Sequence, residues 1–158
     1  MAGDNLKGSV FSGSIIFLID YGWHGAMGLV INRPTKVELS MALPDLKGLK
    51  GRPDKVYWGG PVETNRVTVL FRSERRVEGA DHVFRDIYVS SNLEVLERIV
   101  AGGKGTGVFR VYGGYAGWAP RQLEGEITRG GWRVMGGDEA AVFDAPPTDK
   151  RPGVKPSP

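Results

Sequence analysis

Ser14-Ile15-Ile16-Phe17-Leu18-Ile19, then Tyr21-Gly22-Trp23-His24-Gly25, then Ala26-Met27-Gly28-Leu29-Val30-Ile31 form two apolar runs around a glycine-bearing turn. The runs are rich in β-branched and aromatic residues and lack the polar alternation of a half-exposed strand. They read as a hairpin of strands buried on both faces, turning at Tyr21–Gly25. Asn32-Arg33-Pro34 ends the second strand, because proline holds the residue before it extended and donates nothing to a ladder.

The same pattern recurs along the chain. Lys55–Trp58, Arg66–Phe71, Asp86–Val89, Gly107–Tyr112 and Trp132–Met135 read as further strands, and the charged stretch 72–86 as a surface loop. Helices interrupt them. Thr35-Lys36-Val37-Glu38 has capping-box spacing and predicts a helix over Lys36–Leu43, stopped by Pro44. Ser91-Asn92-Leu93-Glu94 opens a second helix with Leu93, Leu96, Ile99 and Val100 on one face, ended by Gly102-Gly103. Pro120 suits a first helical residue, with Leu123 and Ile127 one turn apart behind it. Asp138-Glu139 starts a last turn through Phe143. The expected organisation is one α+β domain over residues 1–144, followed by a disordered basic, proline-rich tail over 145–158.

Composition narrows the chemistry. The chain has 158 residues, 41% hydrophobic and 25% charged, which suits one globular domain with a full core. No cysteine is present, which excludes disulfides, thiolate metal sites and thiol catalysis and agrees with a reducing cytoplasm. The start Met1-Ala2-Gly3-Asp4-Asn5 lacks a basic region before an apolar stretch, and no run approaches the roughly 20 residues of a membrane span. Cytoplasmic location is expected, and no membrane partner. A formal net charge of +3, with acidic residues interleaved, permits nucleic-acid binding without demanding it. Glycine is the outlier: 24 residues, about twice the usual share of roughly 7%, in clusters that suit tight turns and close backbone approaches.

Few motifs carry chemistry. Gly102-Gly103-Lys104-Gly105-Thr106-Gly107 lacks Gly-Lys-Ser/Thr and follows a helix, the reverse of a phosphate loop's order. His24 and His82 have no third ligand at metal-site spacing, so no metal or cofactor is expected. His82, beside Asp81, reads as part of a solvated loop. Trp23-His24 at the hairpin tip is more suggestive, with packing onto a neighbouring loop preferred to ligand binding. No Gly-x-Ser-x-Gly elbow exists. Arg72, Arg75 and Arg76 are interleaved with Glu74 and Glu78, without an aromatic stacking platform.

The segment Gly113–Glu126 is the candidate site for a ligand or partner. It reads as a glycine and aromatic loop in which Gly114 and Gly117 permit close approach and Tyr115 and Trp118 supply flat apolar walls. Ala119 is expected as an N-cap without a side-chain acceptor, leaving helix amides free for an anion. Gln122 and Glu126 share one helix face and would orient what binds; Asn32 and Arg33 are the expected neighbours from the hairpin end. Against this stands a simpler reading, in which Tyr115 and Trp118 are core residues and the amides are capped. Both stay open.

Three stretches together resemble the bacterial YqgE/AlgH family: Gly25-Ala26-Met27-Gly28-Leu29-Val30-Ile31-Asn32-Arg33-Pro34, Tyr57-Trp58-Gly59-Gly60-Pro61-Val62, and Gly114-Tyr115-Ala116-Gly117-Trp118-Ala119-Pro120-Arg121-Gln122-Leu123-Glu124. The resemblance spans about Val10 to Phe143. It implies a strongly curved, barrel-like, mostly antiparallel or mixed sheet flanked by a few short helices. It implies no activity or cofactor, although a regulatory role in gene expression has been attached to the family. The chain departs from the family pattern in three places. The strand before Val10-Phe11 is shortened or lost. Ile19 and Tyr21 stand where some members carry a cysteine and a histidine. The apolar end beyond Asp144 is replaced by the basic tail.

Two functions follow as expectations. The first is a non-catalytic binding or regulatory protein acting through an unknown protein or a small anionic ligand, as a monomer or weak homo-oligomer. The alternative is an enzyme acting on a small anionic or phosphorylated substrate.

Overall fold

The computed structural model describes residues 1–6, 8–102, 108–137 and 139–143. In chain order it places β1 (Ile16–Gly22), β2 (Gly25–Val30), β3 (Pro34–Glu38), α1 (Leu39–Ala42), β4 (Lys55–Trp58), β5 (Val62–Arg72), β6 (Asp81–Phe84) and β7 (Ile87–Ser90). Then come α2 (Leu93–Ala101), β8 (Phe109–Trp118), α3 (Gln122–Thr128) and α4 (Glu139–Phe143). The fold is α+β, as expected from the resemblance: a nearly closed, barrel-like, mainly antiparallel sheet with a few short helices. Its strand order is β1-β2-β8-β5-β7-β6, with β4 parallel to β8 and carrying β3 on its far side.

Strand β8 organises this sheet, and the sequence reading ended it six residues early. Gly113–Trp118, expected as a loop, is its second half. One strand thereby meets three others. Antiparallel β5 pairs along it from Phe109 to Tyr115; on the opposite edge β4 pairs with Val111–Gly113 and β2 with Ala116–Trp118. The hand-over between β4 and β2 falls where Gly59-Gly60 meets Gly113-Gly114. The Gly59 amide donates to the Gly113 carbonyl at 2.8 Å, and the Gly59 carbonyl accepts from the Val30 amide at 2.9 Å. A Cβ on Gly60 would overlap the Tyr115 backbone, and one on Gly114 the Gly60 carbonyl oxygen. The glycines are there because three backbones pass closely, not because the chain turns.

Other local expectations shift for stated reasons. Ser14–Ile19 is not buried on both faces: β1 is an edge strand, paired only with β2, and Leu18 remains 38% exposed. The hairpin turn is tighter than read, with Gly22 already opposite Gly25. The helix expected at Lys36–Leu43 shrinks to Leu39–Ala42, since the Thr35 hydroxyl donates to the Val56 carbonyl at 2.7 Å and draws Pro34–Glu38 into pairing with β4. Asp81–Phe84, read as loop, pairs with β7. Trp132 makes only an isolated bridge to Ala2, because its side chain is drawn into the core. Asn92 caps α2 by accepting from the Glu94 amide at 2.9 Å, and Val95 rather than Leu93 joins Leu96 and Val100 in the core. The expected details at Gly103–Gly107 and Asp138, and the tail from Ala145, lie outside the described residues.

Side chains alternate across β5 and β8. Val69, Phe71, Phe109 and Val111 pack with Val95, Leu96 and Val100 of α2, whereas Leu70 and Tyr112 pack with Leu29, Tyr57 and Phe143. Tyr112 is fully buried, and its hydroxyl has no hydrogen-bond partner among the described residues. Burial pushes its pKa up. A buried hydroxyl without a partner costs its lost hydration and gains nothing. Tyr112→Phe is therefore expected to match or exceed the wild type in stability by up to about 1 kcal/mol. Thermal unfolding checks this, and a loss beyond roughly 1.5 kcal/mol would contradict it.

Candidate functional site

Pairing of β2 with β8 brings the β1–β2 hairpin against α3, with Ala26 opposite Trp118 and Met27 opposite Gly117. The helix begins later than Pro120. Arg121 is its N-cap, at φ 66°, and Gln122 its first residue, so Ala119 is not the cap. The Ala119 amide is not free either: the Gln122 side-chain oxygen accepts from it at 3.0 Å. The seven-residue helix thus offers no open anion cradle at Ala119.

Glu126 sits at the centre of the expected cluster. Its Oε2 accepts from both the Trp118 and Trp132 indoles, at 2.9 and 2.8 Å, and its Oε1 accepts from the Gln122 amide at 3.1 Å. Burial pushes the Glu126 carboxyl up, but these hydrogen bonds and the nearby Arg129 charge together hold it below its ordinary value. Trp118 and Trp132 are 7% and 6% exposed and pack edge to face, 5.8 Å between centroids, over Leu123 and Ala116. Trp118 is therefore a core residue. Tyr115 is half-buried, with the Arg66 guanidinium 5.4 Å from its ring centre. Gly114 lies at the strand hand-over, and Gly117 is exposed.

Asn32 and Arg33 lie at the far end of β2, yet one aromatic row joins them to Glu126. Asn32 accepts from the Ile15 amide at 2.9 Å and donates to the Gly13 carbonyl at 3.0 Å. Arg33 donates to the carbonyls of Val10 and Ser12 at 2.6 and 2.5 Å, and lies 5.0 Å over the Trp58 ring. These bonds fix Phe11, which contacts Trp58 and Trp132 with centroids 6.4 and 5.5 Å away. The row runs Arg33–Trp58–Phe11–Trp132–Trp118–Glu126, a cation at one end and a carboxylate at the other.

The exposed chemistry lies beside this row. At the hairpin tip Trp23 is 91% exposed, touching the His24 ring edge to face at 5.7 Å. His24 Nε2 lies 2.9 Å from Asp20 Oδ2. The Tyr21 hydroxyl donates to Glu124 of α3 at 2.5 Å, a bond that raises the Tyr21 pKa and lowers that of Glu124. The sequence points to Trp23 and His24 but not to Tyr21 and Glu124, which are brought together only by the pairing of β2 with β8. Among the described residues no group of three His, Asp or Glu side chains could hold a metal, and no helix is long and apolar enough to cross a membrane.

The AlgH-like family model matches residues 1–151. The chain belongs to the AlgH-like family. It is 40% identical to a UPF0301 protein of Paraburkholderia phymatum over 152 residues, covering 92% of this chain and 78% of the relative. It is 38% identical to a UPF0301 protein of Burkholderia ambifaria over 161 residues, covering 95% and 81%. The solution structure of the AlgH protein from Pseudomonas aeruginosa superposes with a TM-score of 0.76 at 33% identity, over 93% of this chain and 79% of that one. A Corynebacterium diphtheriae protein at 22% identity shares the fold, with a TM-score of 0.66 over 82% and 69% of the two chains. The three stretches that resemble the AlgH-like family supply Gly59, Gly60 and Gly114 of the β8 hand-over and Arg33, Trp58 and Trp118 of the aromatic row.

Proposed function

We propose that this AlgH-like chain is a non-catalytic binding protein of the cytoplasm, with a regulatory role exerted through a protein partner recognised at the β1–β2 tip. The observation that supports this reading is Trp23, 91% exposed at a hairpin tip. A bare indole in water is unfavourable unless something covers it, and tryptophan, tyrosine and charged neighbours are the anchors of protein interfaces. Asp20, Tyr21, His24 and Glu124 supply that polar surround. The cysteine-free composition supports a reducing compartment, and the AlgH name of the similar protein suggests regulation. Trp118, Gln122 and Glu126 contribute by holding α3, and so Glu124, against the tip.

Trp23→Ala separates the tip from the fold. It is expected to leave the melting temperature unchanged within the range of a neutral surface substitution, about 0.5 kcal/mol. Capture from the native cytoplasm, quantified against the wild type, should lose its specific partner. Undiminished capture by Trp23→Ala, or reproducible turnover in a broad substrate screen abolished by a point mutation, would overturn the reading.

A further inference from the structure

The barrel does not close between β1 and β6, the two ends of its main strand order. A groove of about 380 Å³ occupies that seam, within the range of small-molecule sites of roughly 300–1,000 Å³. Ile16 and Leu18 form one wall, Phe84 another, and the segment Arg133-Val134-Met135-Gly136-Gly137 crosses beside it. Val134 and Met135 are 75% and 61% exposed at the groove. Gly136 has open space around it. A short apolar strap with an adaptable methionine is thus held in water above an apolar trough.

Charge selects the occupant. Arg133 is the only charged side chain among the described residues lining the groove, and no acidic one lines it. Its guanidinium is 63% exposed and lies 3.8 Å from the Asp4 carboxylate, beyond hydrogen-bond reach and screened by solvent. Glu126 lies behind the Trp118 and Trp132 indoles, its oxygens already engaged. The Met1 ammonium, which donates to the Arg133 carbonyl at 3.0 Å, adds a second positive group at the same end. An apolar trough with cationic groups at one end matches an apolar chain ended by an anion.

We propose that this seam binds a single-chain amphiphile, its tail along Ile16, Leu18 and Phe84 under the Val134-Met135 strap and its anionic head at Arg133. This stands independently of the hairpin-tip reading. Dodecanoate, kept below its critical micelle concentration, is the probe, with dodecanol and dodecyltrimethylammonium as comparators. Calorimetry on the full chain should show one dodecanoate bound per chain, and amide shifts should map to β1, β6 and the strap. Arg133→Glu is expected to weaken dodecanoate by about tenfold or more, the worth of one charge-assisted hydrogen bond, while sparing dodecanol. Should Arg133→Glu melt early, Arg133→Ala carries the same test. Equal binding of the cationic probe, no binding of dodecanoate below its micelle threshold, or shifts outside the seam would overturn the proposal. So would concentration-dependent self-association that buries Val134 and Met135, because the occupant would then be a second copy.

Discussion

Gly60→Ala is expected to destabilise the protein by more than about 4 kcal/mol, a loss seen only when a defined structural requirement is broken. Gly60 has φ 153°, and its missing Cβ would fall on the carbonyl carbon and oxygen of Tyr115 and on the Ala116 amide. All three are backbone atoms of the central strand, so no rotamer change relieves the overlap. Moving Gly60 away would pull β4 from β8 and disturb the bonds that Gly59 makes to Val30 and Gly113. Gly51 is the control: it also has positive φ, 79°, but nothing lies within 4 Å of its missing Cβ. Gly51→Ala should cost only backbone strain, about 1–2 kcal/mol. Denaturant unfolding of the two variants checks this. Similar small losses in both would mean that the hand-over between β4 and β2 tolerates a side chain.

Much of the sheet was legible in the residues. β2 and β4 follow from apolar runs bounded by glycine or proline, β7 and the core of β5 from short β-branched and aromatic runs, and α2 from the capping-box spacing of Ser91 and Glu94, although Asn92 is the residue that caps it. Legibility failed where one residue type serves two purposes. Glycine in Gly113-Gly114-Tyr115-Ala116-Gly117 signals a turn by composition, but close passage of β4 and β2 requires the same residue in a strand. Thr35-x-x-Glu38 has the spacing of a helix cap, and pairing with Val56 outbid it. The seam and the Tyr21–Glu124 contact depend on which strands neighbour one another, and no local pattern encodes that.

The candidate site was half legible. Asn32, Arg33, Gly114, Tyr115, Gly117, Trp118, Gln122 and Glu126 fall on one connected structure, but they are joined by packing and internal hydrogen bonds rather than around an open space. A glutamate near an exposed helix start reads as a free ligand-orienting group until its partners are seen. Trp132, six residues beyond Glu126, was read as part of a strand, so the second indole of the pair was missed.

Glu126→Ala is accordingly expected to cost stability. It removes the shared acceptor of two indole N–H groups and the partner of Gln122. Each buried donor left without an acceptor costs about 1–3 kcal/mol; because Glu126 is half-buried, water reaching the gap should hold the total to about 2–4 kcal/mol. The pH dependence has a definite sign. The folded-state pKa of Glu126 lies below its ordinary value, so its contribution is full above the unfolded value of about 4.3 and is lost as pH falls through the folded one. The measurement that decides whether this network holds the fold together is the unfolding free energy of Glu126→Ala against wild type, at neutral pH and below pH 4. The account predicts a deficit of about 2–4 kcal/mol at neutrality that narrows in acid. A variant as stable as wild type at both would contradict it, and would leave the Glu126 carboxylate with work other than holding the two indoles.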